Sequence, residues 1–258
     1  MKFDIFLVAA YKDYNKLPYC LEAIAKNIEG FENIYLCTPT TFKDSAKLHF
    51  PIHYRTDSEV LPAHPLKWKY RPNWIYQQFI KLFQNATVND WYFVCDVDTI
   101  INKPLPLWED GKPIQYYGWD QNNPPYYAFN KTFLGYDRVL PHTCLSDTGF
   151  YNKEAVKKML TCIGHTVDSF LYQTYSAINK NCYPSEPDLY FNWTAKYLPD
   201  MYIFKQLKTK CNAREGNDPM AQLWNNQDIK DLIKSMSKKD IDTFSLHSWI
   251  NKSHNKWR

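Results

Sequence analysis

The stretch Trp91-Tyr92-Phe93-Val94-Cys95-Asp96-Val97-Asp98-Thr99-Ile100-Ile101 decides how the chain is read. Trp91 to Cys95 is a short apolar run of aromatic and β-branched side chains, and the turn pair Asn89-Asp90 precedes it. It therefore reads as a buried strand. The strand runs straight into Asp96-Val97-Asp98. Open α/β sheets bind ligands beyond the carboxyl ends of their strands, where these two carboxylates fall. Mg²⁺ and Mn²⁺ take hard oxygen ligands, commonly one or two carboxylates together with substrate phosphates. The pattern points to a metal–diphosphate site. The competing reading is a strand ending in a turn whose Asp side chains bond nearby amides.

On the N-terminal side, Phe3 to Ala10 reads as a buried strand followed by a loop, Tyr11 to Tyr14. Asn15 is placed to cap a helix, with Pro18 in its first turn. Leu17, Leu21, Ile24, Ala25 and Ile28 recur at helical spacing, and Gly30 stops the run. Asn33 to Cys37 is a second strand, Thr40 to Leu48 a short helix and Pro51 to Arg55 a third strand. Strand, helix, strand, helix, strand implies a right-handed, parallel βαβ sheet. Ala-Ala-Tyr-Lys-Asp follows the first strand, so the Gly-rich dinucleotide fingerprint and the Walker loop are excluded. A nucleotide must then be held by a ring such as Tyr11, a carboxylate such as Asp57 or Glu59, and a metal.

Asp57 to Arg71 reads as a loop, and Trp74 to Phe83 as an amphipathic helix leading into the central strand. Ile75, Phe79 and Leu82 share one face; Gln77, Gln78 and Lys81 lie off it, on what could be a solvated face. Beyond Asp98, the sequence predicts a strand over Pro113 to Trp119, a polar loop over Asp120 to Pro125, and a strand and turn over Leu145 to Tyr151. Helices follow over Lys153 to Thr161 and Val167 to Asn179, and a third opens at Ser185-Glu186-Pro187-Asp188 with Ser185 as its cap. Met201 to Phe204 is a strand, Asn225 to Ser237 a helix, and Phe244 to Ile250 carries His247. No repeat or linker interrupts this order. One mainly parallel α/β domain over 1–250 is expected, with a basic tail over 251–258.

A hydrophobic content of 45% supports a sizeable core. The net charge of +4, without a basic run, gives no footprint for nucleic acid. No apolar stretch approaches the length of a membrane span. The first strand begins at once, without a signal-peptide pattern, so a cytoplasmic protein is expected. Seven scattered Cys, none in a C-x-x-C pair, indicate reduced thiols and argue against a zinc site. An aromatic content of 17%, with 20 Tyr and 9 Trp, suits either rings offered to sugars and bases or an aromatic core.

Three pieces can converge on the D-x-D: the carboxylates themselves, Glu186/Asp188 at a helix start, and His247. A carboxylate there can serve as general base toward a hydroxyl, or only complement the helix dipole. His247 can equally be an ordinary satisfied polar residue.

With these residues in place, the sequence resembles the GT-A glycosyltransferases, in particular a glycosyltransferase-like family with a W-x-x-Q-Q-x-x-K-L helix. Here that helix is Trp74, Gln77, Gln78, Lys81 and Leu82, followed by the aromatic strand and the D-x-D. Asp147-Thr148-Gly149-Phe150-Tyr151 is similar to the Gly-containing strand that lines the donor-sugar pocket in that fold. Ser185 to Tyr190 is similar to the acidic segment that supplies a base in inverting members. Pro187, between the two acids, departs from the pattern and leaves both Glu186 and Asp188 as candidates.

The resemblance implies sugar transfer from a UDP- or GDP-linked donor to a hydroxyl acceptor, with inversion. It implies Mn²⁺ or Mg²⁺ held by Asp98 and His247, with Asp96 toward the ribose or the metal. Glu186 or Asp188 is then the base. Tyr11 stacks on the nucleobase, Asp57 binds base or ribose, Asp147, Gly149 and Gln77 face the donor sugar, and Lys81 counters a phosphate. A haloacid-dehalogenase-type phosphatase, with Asp96 as nucleophile and Asp98 as acid/base, is the main rival. It normally carries its motif on the first strand. A carbohydrate-binding module is the other alternative.

Overall fold

The computed structural model describes residues 2–39, 51–62, 68–118, 123–144, 146–216 and 224–250, with backbone alone at 11, 213–216 and 248–250. The strands are β1 (Phe3–Val8), β2 (Phe31–Thr38), β3 (Ile52–Thr56), β4 (Trp91–Asp96), β5 (Thr99–Ile101), β6 (Trp108–Glu109), β7 (Lys112–Tyr117), β8 (Thr148–Asn152), β9 (Ile203–Gln206), β10 (Thr209–Gly216) and β11 (Thr243–Ile250). The helices are α1 (Leu17–Asn27), α2 (Asp57–Val60), α3 (Pro72–Phe83), α4 (Pro124–Leu134), α5 (Lys153–Cys162), α6 (Val167–Ala177), α7 (Glu186–Tyr197) and α8 (Asn226–Met236).

The central sheet has the order β3-β2-β1-β4-β8. Its first four strands are parallel, and β8 runs antiparallel along β4. Both faces are covered, so its inner strands are apolar throughout rather than alternating. Phe6 and Val8 of β1, with Tyr92 and Val94 of β4, enter one core with α3 to α7. Ile5 and Leu7, with Phe93 and Cys95, enter the other with α1, β5, α8 and β11. The pleat thereby fixes Asp96, which keeps the parity of Tyr92 and Val94, on the α3/α7 side. After the two-residue turn Val97-Asp98 the chain enters β5, which belongs to a second sheet and pairs antiparallel with β11. That pairing brings the C-terminal strand and His247 back to the D-x-D. The remaining sheet is β6-β7-β9.

Most expected elements are present, with shifted ends. Lys16, not Asn15, precedes the first turn of α1, and it caps nothing with its side chain. Asn15 instead donates to the Trp224 carbonyl. The stretch expected to be loop from Asp57 begins with α2, closed by a capping box between Thr56 and Glu59. The polar loop expected to reach Pro125 gives way to α4, because Pro124 and Pro125 occupy a helix's first turn, where proline is tolerated. The short β5 and β6, and β10 with its few apolar residues, escaped the pattern. The helix expected over Thr40–Leu48 and most of the loop from Asp120 lie outside the described residues, as does the 251–258 tail. All seven cysteines are free thiols. No described helix is long and apolar enough to cross a membrane.

Candidate active site

The two carboxylates of the D-x-D face different partners. Asp98 Oδ2 lies 3.0 Å from His247 Nδ1 and 4.0 Å from the wholly buried ammonium of Lys16. Lys16 is itself paired with Asp13 Oδ1 at 2.8 Å. The Leu246 amide donates to the Asp98 carbonyl at 2.7 Å, which locks β11 against the turn. Burial opposes ionisation of Asp98, but the His247 bond and the charges of His247, Lys16 and Lys12 hold its carboxyl well below the usual range.

His247 Nε2 points the other way, 3.6 Å from Asp147 Oδ2. Burial disfavours the imidazolium. The bonds to Asp98 and Cys211 and the charges of Asp98 and Asp147 outweigh it and raise the imidazole to about 11. Asp147 has a left-handed backbone, φ 56°, and its carbonyl accepts the Asp96 amide at 3.0 Å. Burial, then the charges of Asp96 and Asp98, push its carboxyl up to about 6 against the pull of His247 and Lys81.

Asp96 turns toward α3, where Lys81 Nζ lies 2.5 Å from its Oδ1 and 3.4 Å from Glu186 Oε1. Lys81 is only 4% exposed. Burial works against its charge, but Asp96 and Glu186 overcome that and raise it. Glu186 opens α7 and is 5% exposed. Burial lifts its carboxyl to about 7, with Asp96 adding to the rise and Lys81 opposing it. The Glu186 amide donates to Gln78 Oε1 at 3.4 Å, tying α7 to α3. The polar side of α3 at Gln78 and Lys81 is therefore buried rather than solvated.

Asp188 is completely buried; its Oδ1 accepts the Cys144 amide at 3.4 Å and its carbonyl accepts Asn192 Nδ2 at 2.8 Å. It holds α7 in the core. Asp57 starts α2 and accepts the Ser58 amide at 2.8 Å. It stands at the same sheet edge, three strands from Asp96, about 14 Å by the spacing of neighbouring strands. Gln77 is half-buried, and Tyr11 lies in a short 3₁₀ turn with its side chain outside the described residues. Gly149 lies within β8 opposite Val94, and the ring of Tyr151 folds over it. Sequence reading missed Lys16, Asp13 and Gln78. The i,i+3 spacing of Asp13 and Lys16, and a lysine where a capping side chain belongs, were the available signals.

Among the described residues no three His, Cys, Asp or Glu side chains form a ready metal cage. The chemistry of the donors nevertheless suits Mn²⁺ or Mg²⁺: carboxylate oxygens with one imidazole nitrogen. The 3.0 Å separation of Asp98 Oδ2 and His247 Nδ1 also matches adjacent ligands of a cation with bonds of about 2.1 Å. A protonated His247 between two carboxylates supplies the positive charge such a cation would carry. Metal binding there requires loss of that proton.

The family described as one of unknown function, DUF6492, matches residues 22–240. No curated protein sequence matches the chain. Among solved structures, an active-site mutant of LgtC superposes with a TM-score of 0.51 at 12% identity, covering 94% of this chain and 86% of that one. The galactosyltransferase LgtC with donor and acceptor sugar analogues gives 0.47 at 11%, covering 94% and 86%. Mouse xyloside xylosyltransferase 1, in its apo form, gives 0.47 at 9%, covering 95% and 97%. The fold of the chain is that of the GT-A glycosyltransferases.

Proposed function

We propose that this chain, which belongs to DUF6492, a family of unknown function, is a metal-dependent glycosyltransferase moving a sugar from a UDP- or GDP-linked donor to a hydroxyl acceptor. One observation carries the reading: at the carboxyl end of β4, Asp98 and Asp147 flank His247 while Asp96 and Glu186 flank Lys81. Two adjoining charged sites, one suited to a cation and one holding a carboxylate near neutrality, match the two demands of glycosyl transfer. The diphosphate must be neutralised as it leaves, and the attacking hydroxyl must lose a proton.

Asp98 and His247 would hold the cation, which when bound neutralises the leaving diphosphate. Asp96, fixed by Lys81, turns its carboxylate toward the donor's ribose or sugar, and Asp147 offers a second oxygen beside it. Glu186, poised at about 7, accepts the proton of the acceptor hydroxyl as it attacks the anomeric carbon. Asp188, committed to the α7 packing, does not serve. A single base opposite the leaving group gives inversion.

The test incubates the purified chain with a panel of UDP- and GDP-sugars, with Mn²⁺ or EDTA. Metal-dependent release of UDP or GDP from at least one donor is expected, since such enzymes hydrolyse donor slowly without acceptor. No release across the panel, with glycan binding alone, favours a binding module. Hydrolysis of p-nitrophenyl phosphate with beryllium fluoride trapped at Asp96 establishes the phosphatase instead. NMR of the transferred anomer checks inversion, and retention removes Glu186 from the role of base.

A further inference from the structure

Lys16 stands where helix α1 has least use for it. It precedes the first turn and makes no side-chain cap, a place that Ser, Thr, Asp or Asn fills better. Its charge lies at the positive end of the helix dipole, and it is completely buried, which is costly for a lysine. Exchanging a buried ion pair for apolar side chains of similar volume is often neutral or stabilising. The helix therefore gives no reason for the residue. The contacts of its ammonium lie at the end of β4.

Lys16 Nζ pairs with Asp13 Oδ1 at 2.8 Å and lies 4.0 Å from Asp98 Oδ2. Asp13 is itself buried. The loop after β1 thus brings one buried cation and one buried anion beside the D-x-D. Asp98 Oδ2 is also the oxygen that faces His247 Nδ1 at 3.0 Å, so the oxygen best placed to hold a divalent cation lies beside Lys16. A cation bonded to it at about 2.1 Å would lie within about 6 Å of the ammonium. Burial leaves these two like charges poorly screened, whereas Lys12, the other lysine acting on Asp98, is exposed and screened by solvent. Asp13 offsets part of the repulsion. The diphosphate of a nucleotide, bringing negative charge to the same cation, offsets more.

We propose that Lys16 lowers the affinity of the Asp98–His247 site for a bare divalent cation, with Asp13 setting how far, so that the cation is held tightly only together with a nucleotide diphosphate. Lys16 has no exposed surface and acts through Asp98 as a positioning residue; it touches neither nucleotide nor sugar. By reciprocity, the cation strengthens nucleotide binding by the same factor. This rests on the cation and donor of the transferase reading and adds how their binding is coupled.

The test titrates Mn²⁺ onto the full chain by electron paramagnetic resonance, alone and with UDP or GDP. It needs no turnover, so it stands apart from the donor-release assay. Asp13→Asn keeps the shape of the side chain and leaves Lys16 without its counter-charge. It should weaken binding of bare Mn²⁺ about tenfold or more, the scale of one poorly screened charge, and UDP or GDP should restore most of the loss. Adding Lys16→Met removes the cation as well. The double variant should bind bare Mn²⁺ about tenfold or more tighter than Asp13→Asn alone. It exchanges the buried pair for neutral side chains, which folds commonly tolerate, and its melting temperature checks this. If it fails to fold, Lys16→Gln in place of Lys16→Met carries the same comparison. A merely supporting role for Lys16 predicts the opposite sign, since a second loss of packing loosens the site further. A double variant that binds Mn²⁺ no better than Asp13→Asn overturns the proposal, as does a parent protein that binds no Mn²⁺ with or without nucleotide. If donor release fails while the reversal holds, the control of the cation site by Lys16 stands and the transferase reading falls. If donor release is metal-dependent while the reversal fails, the transferase reading stands and the proposal falls.

Discussion

Lys81 and Asp96 meet across the interval between α3 and the end of β4, with Nζ 2.5 Å from Oδ1. This contact separates the two D-x-D carboxylates, since Asp98 is held by His247 on the other side of the turn. The pleat of β4 sets the direction of Asp96, and the pairing of β5 with β11 sets that of Asp98. A motif usually treated as one pair of metal ligands is thus built on two separate supports. The two residues should respond differently to mutation.

Asp98→Ala should remove Mn²⁺ binding, measured by electron paramagnetic resonance titration, and with it donor turnover. A tenfold or greater rise in Kd is expected, at least the scale seen when supporting groups around a metal are lost. The fold should survive, because Lys16 keeps Asp13 and His247 keeps Asp147 as partners. Full activity of this variant in EDTA would show that no metal is used.

Glu186→Gln should lower kcat about a hundredfold or more, the scale of losing a general base, with donor KM nearly unchanged. In the parent protein kcat/KM should fall as pH drops through about 7, because the base is active only when ionised and burial raises its carboxyl to that value. The glutamine variant should lose this acid limb. A variant that keeps kcat but binds donor poorly would place Glu186 against the donor sugar.

The convergence of Asp96, Asp98, Glu186 and His247 was left open by the sequence, where each also had an ordinary structural reading, whereas the sheet and the elements that carry these residues were legible from local patterns. These are the apolar run Trp91–Cys95, the Ser185 cap with Pro187 behind it, and the apolar stretch around His247. Burial of Lys81 was not legible. Helical spacing puts Gln77, Gln78 and Lys81 off the apolar face of α3, and only tertiary packing of α7 against that side covers Gln78 and Lys81. The separation of Glu186 from Asp188 was equally hidden. Residues two apart on a helix point about 200° apart, and which of them meets Lys81 depends on how α7 rolls against the sheet.

Lys81→Met should cost about 3 kcal/mol of stability in urea unfolding. Removing one member of a buried ion cluster leaves the others uncompensated, and the low end of the usual range applies because the Asp96 side chain is 24% exposed. Adding Glu186→Gln should recover part of the loss, since the two sites share one interaction. Simple additivity of the two changes would mean that the 3.4 Å contact between Lys81 and Glu186 contributes nothing.

Gly149→Ala separates packing from donor binding at a position where either could require glycine. Gly149 is buried in β8, the edge strand beside β4. A Cβ there would fall 2.6 Å from both Cζ and the hydroxyl oxygen of Tyr151, whose ring covers the glycine as aromatic side chains do in sheets. That ring cannot retreat freely, because it stacks on Tyr92 at 5.5 Å and packs against Tyr190 at 5.1 Å and Phe191 at 5.2 Å. Overpacking of this kind costs about 1–3 kcal/mol. The variant should therefore melt several degrees lower. Pairing Gly149→Ala with Tyr151→Leu, which removes the obstructing ring, should cost less than the two changes summed. If instead the single variant melts like the parent and its donor KM rises, the missing side chain is required by the donor sugar and not by Tyr151.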